Sequence, residues 1–189
     1  MNTKLKILAL AASNSPQSIN RELVARAAAL SHFEATVMDL TAYDEIPIYS
    51  TERQQRDGFP PEIQELYTMI QAHDGLMIAS PEHNGSMPAV FKNVIDWLSR
   101  INMKFLSDKP LLLLSTSPGP RGGSTNLEHL AKLVPWWGAQ LTGTYSLGNF
   151  YQQLDRESGK FAPEAEEKLQ SLVAEFEQSL LPRHLLQAA

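Results

Sequence analysis

The 189-residue chain carries 16 Lys+Arg against 21 Asp+Glu, a net charge of −5 with neutral histidines. Being 43% hydrophobic and 20% charged, it has a globular composition, long enough for one sizeable core and short for two, so residues 1–189 are expected to form a single domain. The acidic balance and the lack of a basic stripe exclude a protein built to grip nucleic acid, and the absence of cysteine excludes disulfides, thiolate metal sites and Cys nucleophiles.

Five histidines, at 32, 73, 83, 129 and 184, show neither HExxH nor His-x-His spacing, so no metal site is expected. Lys4 and Lys6 ahead of apolar residues 7–12 imitate the start of a secretory signal. That run is only six residues long, short of a usual signal core, and a polar loop follows it directly. No apolar stretch approaches the ~18 residues that span a bilayer. The expectation is a soluble, cytoplasmic protein without membrane contact.

Residues 5–12 form a near-continuous apolar run, as expected of a strand buried on both faces. A helix over 20–31 places Leu23, Ala27 and Leu30 on one face. Residues 35–40 read as a weaker strand, interrupted by Thr36 and Asp39, and the charged stretch 49–61 reads as a loop. Pro60-Pro61 opens a helix through Gln71, since proline is tolerated in a first turn, and residues 75–80 make a third strand.

Pro88 starts a helix whose stripe Val90, Phe91, Val94, Ile95, Leu98 repeats with helical period. Residues 110–116 form a fourth strand with four leucines in a row. A helix marked by Leu127, Leu130, Ala131 and Val134 is preceded by Thr125 and Glu128 in capping-box spacing. Residues 139–145 suit a fifth strand. The last helix, from Pro163 to about Leu181, carries Ala165, Leu169, Leu172, Val173, Phe176 and Leu180 on one stripe. Pro182 is expected to end it and leave a frayed tail. Strands alternating with helices in this way predict a parallel sheet covered on both faces, with ligands outside the carboxyl ends of the strands.

Three loops follow the first, third and fourth strands. The first, from Ser13 to Asn20, has neither the G-x-G-x-x-G fingerprint nor a P-loop, but sets three hydroxyls and two amides ahead of a helix N-terminus. Hydroxyl donors without glycine suit a monophosphate better than a pyrophosphate, and a plain helix cap at Ser18 is the equal alternative. The second, Pro81-Glu82-His83-Asn84-Gly85-Ser86-Met87, can lay backbone donors against a flat heterocycle, or be a plain Asn-Gly turn. The third runs from Ser115 to Gly123, with three glycines and two prolines within its last six residues, and can approach a ligand edge or merely connect.

The segment from His73 to Arg100, with Pro81-Glu82-His83-Asn84-Gly85-Ser86 and then Lys92-Asn93-Val94-Ile95-Asp96-Trp97, resembles the signature of the NAD(P)H-dependent FMN reductase family. The first loop resembles that family's Ser-x-Arg-x-x-Ser-x-Asn phosphate loop, and the third its SPGxxGG-type loop. Together with Ile46-Pro47, the resemblance covers about residues 5–145. It implies a flavodoxin-like α/β fold: a doubly wound, five-stranded parallel sheet in the order 2-1-3-4-5 with helices on both faces.

By the same resemblance, Ser13, Ser15, Ser18 and Asn20 would hold the FMN phosphate. Pro81, Glu82, His83, Asn84, Gly85 and Ser86 would line the isoalloxazine ring, and Ser117, Pro118, Gly119 and Gly122 would contact its pyrimidine side. Ser15 stands where the family often has Arg or Lys, which leaves room for a dissociable cofactor, and His83 stands where it usually has Tyr. The activity implied is transfer of hydride from NAD(P)H, as co-substrate, to FMN, and from there to quinones, azo compounds, flavins or metal oxyanions. Small-molecule acceptors and a homodimer or homotetramer are the partners implied. No catalytic side chain is expected, because the flavin carries the chemistry. A flavodoxin-like electron carrier without nicotinamide activity and a redox-silent member of the fold are the alternatives. A hydrolase using Ser80 or Ser86 with His83 and Asp96 is disfavoured, because no G-x-S-x-G elbow exists. Trp136-Trp137 suit core or subunit contact, and Arg121 is a candidate for the phosphates of the nicotinamide cofactor.

Overall fold

Three apolar runs make the centre of one sheet. Strands β1 (Lys6–Ala11), β3 (Gly75–Ala79) and β4 (Lys109–Thr116) are buried almost throughout, and lie between β2 (Glu34–Met38) and β5 (Ala139–Leu147). All pairings are parallel and the order is β2-β1-β3-β4-β5, as the family resemblance implies. The computed structural model describes residues 4–181 in full and the backbone of 182–187.

Because successive side chains on a strand point to opposite faces, the sheet feeds two cores. Leu8, Leu10, Leu76, Ile78, Leu111 and Leu113 pack against α3 (Pro61–Ala72), α4 (Ala89–Ile101) and α5 (Ser124–Leu133). Ile7, Ala9, Met77, Ala79, Leu112 and Leu114 pack against α1 (Ile19–Leu30) and α7 (Pro163–Gln187). The α4 stripe Phe91, Val94, Ile95, Leu98 is buried as its spacing requires. Burial of each such side chain is worth about 1.5–3 kcal/mol over leaving it exposed. Trp97, on the same helix, is 1% exposed and donates its indole N–H to the Pro47 carbonyl at 2.9 Å. The tryptophan thereby ties α4 to the segment at Pro47, and its neighbour Asp96 pairs with Lys92 at 2.6 Å.

The structure departs from the sequence expectations in four places. The stretch expected as loop over 49–61 contains α2 (Thr51–Asp57), which buries no residue. Ser50 caps it by accepting from the Arg53 N–H, and Gly58 ends it at φ 78°. Caps at both ends suffice there without an apolar stripe. A single-turn helix not foreseen, α6 (Phe150–Gln153), follows β5 around the fully buried Phe150. Helix α7 continues through Pro182 to Gln187, because a proline forfeits one hydrogen bond and kinks a helix without having to end it. The last two residues of the tail expected to fray, 188–189, lie outside the described residues. Finally, the Thr125/Glu128 capping box does not form. Helix α5 begins after Gly123, in left-handed backbone, with no side-chain cap of its own.

Candidate functional site

The carboxyl ends of β1, β3 and β4 lie side by side, since Ala11 pairs with Ala79 and Ala79 with Leu114. The three loops expected to hold a ligand therefore leave one edge of the sheet next to one another.

The first loop is a compact turn. The Ser15 N–H donates to Ser13 Oγ at 3.2 Å, the Gln17 N–H to Ser15 Oγ at 3.3 Å, and the Ser18 N–H to the Ser15 carbonyl at 3.2 Å. Ser18 caps α1 by accepting from the Arg21 N–H. Ser13 and Ser18 are buried, whereas Ser15 is exposed. Asn20, 2% exposed, has its side-chain amide committed to the third loop's root: it donates to the Thr116 carbonyl and accepts from the Thr116 N–H, both at 3.0 Å. Asn14 donates to Asp44 Oδ1 at 2.6 Å, and Arg21 pairs with Asp39 at 2.9 Å. Burial pushes the Asp39 carboxyl up, but bonds from the Thr41 hydroxyl and N–H, with the Arg21 guanidinium, hold it below the ordinary carboxylate range.

The second loop is a two-residue hairpin turn. His83 and Ser86 exchange backbone hydrogen bonds at 2.8 and 3.1 Å across Asn84 and Gly85, whose φ values are 52° and 77°. Positive φ at both central positions is what a tight hairpin turn demands, and Asn-Gly meets it at little cost. Asn126, fully buried on α5, holds the loop's root. Its Nδ2 donates to Ser80 Oγ and to the Pro81 carbonyl, each at 3.0 Å, and its backbone N–H donates to the Glu82 carboxylate at 3.0 Å. Glu82 thus serves as the N-terminal cap of α5 that the local sequence does not provide. Its negative charge also complements the helix dipole. Asn126 Oδ1 is buried without a hydrogen-bond partner among the described residues.

The third loop folds back on β5. The Ser117 hydroxyl donates to the Gly119 carbonyl at 3.1 Å, the Gly122 N–H donates to the same carbonyl at 3.4 Å, and the Asn149 N–H reaches it at 2.9 Å. Pro118 is exposed at its crest, and Gly122 is buried against Ser146. Between the second loop and α5 opens a cleft of about 650 Å³, lined by His83, Asn84, Ser86 and Met87 on one side and by Lys92, His129 and Leu133 on the others.

The residues expected to form a site are thus gathered, but with unequal freedom. Ser13, Ser15 and Ser18 present hydroxyls at the start of α1, and His83, Asn84 and Ser86 open onto the cleft. Asn20 and Glu82 are tied into the scaffold, and Asn126, which joins the second loop to α5, was not singled out from the sequence. Its partners lie more than 40 positions away, so no local pattern could have revealed it. The hydrolase alternative finds no support: Ser80 bonds Asn126 and Pro81, Asp96 bonds Lys92, no hydrogen bond joins either to His83 among the described residues, and the bonds between Ser86 and His83 are backbone only. A flavin suits this donor set, with hydroxyls for a phosphate, backbone and amide groups for a ring, and an orphaned acceptor beside the second loop.

A parallel 2-1-3-4-5 sheet with polar loops at its carboxyl edge defines a flavodoxin-like α/β protein. The chain belongs to the NADPH-dependent FMN reductase family, whose model matches residues 5–152. The quinone reductase of Escherichia coli (strain K12) is 34% identical over 134 residues, 71% of each chain. The NADPH azoreductase of Bacillus sp. (strain OY1-2) is 31% identical over 134 residues, 71% of this chain and 68% of its own. Among solved structures, FerB, the flavoenzyme NAD(P)H:(acceptor) oxidoreductase from Paracoccus denitrificans, has a similar fold, with a TM-score of 0.74, 22% identity, and coverage of 95% of this chain and 98% of that one. The chain is accordingly an oxidoreductase of an FMN- and NAD(P)H-dependent family.

Proposed function

We propose that this chain holds FMN across its three loops and uses it to pass reducing equivalents from NAD(P)H to small acceptors, namely quinones, azo compounds, flavins or metal oxyanions. The observation that carries the reading is the pair of buried amides, Asn20 on Thr116 and Asn126 on Ser80 and Pro81, which fix the three loops at one sheet edge. Bound there, FMN supplies the hydride acceptance that none of the chain's own side chains can.

Each loop has its own task. Ser13, Ser15 and Ser18 offer hydroxyls, and the start of α1 its dipole, to the phosphate, while Asn20 keeps that loop in register with the third. The Pro81–Ser86 turn, stiffened by Glu82 and Asn126, faces the ring. Ser117, Pro118, Gly119 and Gly122 approach its pyrimidine side. Arg121, exposed and in no ion pair among the described residues, is assigned to the phosphates of the nicotinamide cofactor. His83, at the cleft mouth, shapes access for the second substrate.

A single unit over 1–189 acting as a homodimer or homotetramer completes the proposal. Met103 and Trp136, 73% and 79% exposed, offer apolar surface for such a contact. No helix among the described residues is long and apolar enough to cross a membrane, and the cytoplasm is the assigned location. The test is a visible spectrum of the purified protein with added FMN, then with NADPH under anaerobic conditions. Bleaching of the flavin bands, with ping-pong kinetics once a quinone is added, is the expected result. Bound flavin that stays oxidised would instead make the chain an electron carrier.

A further inference from the structure

We propose that this site accepts flavins with and without the 5′-phosphate, binding riboflavin nearly as well as FMN; this rests on the flavin-reductase reading above. The argument is one of charge around the first loop. A flavin phosphate brings about −1.5 to −2 charges at neutral pH, and the chain offers little to meet them.

Backbone donors in the loop are largely spent on the turn itself. Those of Ser15, Gln17 and Ser18 are bonded within it, and Pro16 has none. The Asn20 amide is spent on Thr116. Asn14 gives its amide to Asp44 at 2.6 Å, which holds a carboxylate beside the loop rather than a cation.

The cations of α1, and Arg156 beside it, are already paired, and Arg121 on the third loop is assigned to the nicotinamide cofactor. Arg21, in the first turn of α1, is held by Asp39 at 2.9 Å, and Arg156 is held by Glu22 at 2.7 Å. Arg26, one turn further along, pairs with Glu166. The loop and the first turn of α1 therefore contact three carboxylates, Asp39, Asp44 and Glu22, against two guanidinium groups. What remains for a phosphate is three serine hydroxyls, the first N–H groups of α1 and a helix dipole equivalent to about half a charge. The Asp44 carboxylate, bonded to the loop at Asn14, works against that gain. The ring-binding loops carry no such conflict, so most of the flavin's affinity comes from the part that FMN and riboflavin share.

The test is equilibrium titration of the flavin-free protein with FMN and with riboflavin, followed by quenching of flavin fluorescence, at low and high salt. The expected result is a pair of Kd values within about tenfold of each other, with a ratio that salt barely moves. Ser15→Arg, at an exposed position that tolerates a long side chain, is expected to tighten FMN by about tenfold or more, leave riboflavin unchanged, and make the ratio fall with salt. Asp44→Asn keeps an acceptor for Asn14 and is expected to shift the ratio in the same direction. A preference for FMN of more than about a hundredfold in the unaltered protein would overturn the proposal. So would a Ser15→Arg ratio equal to that of the parent. Binding of neither flavin would overturn the flavin-reductase reading itself, and the proposal with it.

Discussion

Changing Asn20 to Asp swaps one NH2 for an oxygen and tests whether this side chain is a strut. In the parent, the amide satisfies both the N–H and the carbonyl of Thr116 at 3.0 Å in a place 2% exposed. The acid keeps the bond from the N–H but turns a second oxygen toward the carbonyl. When ionised it forfeits one hydrogen bond worth about 1 kcal/mol and leaves a buried acceptor unpaired at about 1–3 kcal/mol, so a loss of about 2–4 kcal/mol is expected near neutral pH. Burial and the facing carbonyl oppose the charge, which raises the folded-state pKa above the ordinary ~3.9. The protonated acid can donate to the carbonyl as the amide did. At this site the native state then binds more protons than the unfolded one, so the variant's stability relative to the parent is greatest at acid pH and declines as pH rises through the raised pKa. Urea unfolding of the flavin-free Asn20→Asp protein and its parent, at about pH 4 and about pH 8, reads this directly. A variant that tracks the parent within about 0.5 kcal/mol at both values would refute the strut role.

Glu177 gives a titration of opposite sign. Burial pushes its carboxyl up, but bonds from the Ser31 hydroxyl and from the ring and N–H of His32 hold it below the ordinary value. Its contribution is therefore present above the unfolded pKa and lost as pH falls through the folded one. Glu177→Gln is expected to cost about 1–2 kcal/mol at pH 7, with the gap to the parent closing in urea melts as pH falls through the lowered folded-state pKa. Gly123→Ala combines a φ of 78° with a Cβ only 2.2 Å from Ser115 Oγ and is expected to cost more than about 2 kcal/mol. Gly85→Ala, at φ 77° but with open space around it, is expected to lose only about 1 kcal/mol in the same assay. Glu82→Gln keeps an acceptor for the Asn126 N–H but removes the charge at the start of α5, a loss of about 0.5–1 kcal/mol by thermal unfolding.

The central strands and the two amphipathic helices were legible because burial leaves a period in the sequence. The uninterrupted leucines of β4 and the α4 stripe announce how many faces each buries. Helix α2 left no such trace, since nothing on it is buried, though Ser50 and Gly58 in cap positions were a signal that could have been read. The cap of α5 was misread for a different reason. Thr125 and Glu128 have the right spacing, but Gly123 turns the chain into left-handed backbone and Glu82 arrives from 44 positions away to take the N–H. The site divides in the same manner. Contiguous loops with their hydroxyls, prolines and glycines were visible, while the long-range partners that consume Asn20, Glu82 and Asn14 were not. Which polar groups remain available to a ligand is a property of the fold as a whole.

Between β4 and β5 the register slips at Leu111/Leu112, and the Thr142 hydroxyl bonds the Leu111 carbonyl at the slip. β5 is an outer strand of the sheet, and an interrupted outer strand offers a poor template to any further strand. At the opposite border, β2 is five residues long and shows Glu34 and Thr36 to solvent. With both borders blunted in this way, the sheet offers little edge for a further strand to extend. Crowded or partly unfolded molecules are thereby steered away from the ribbon-on-ribbon growth that turns open sheets into fibres.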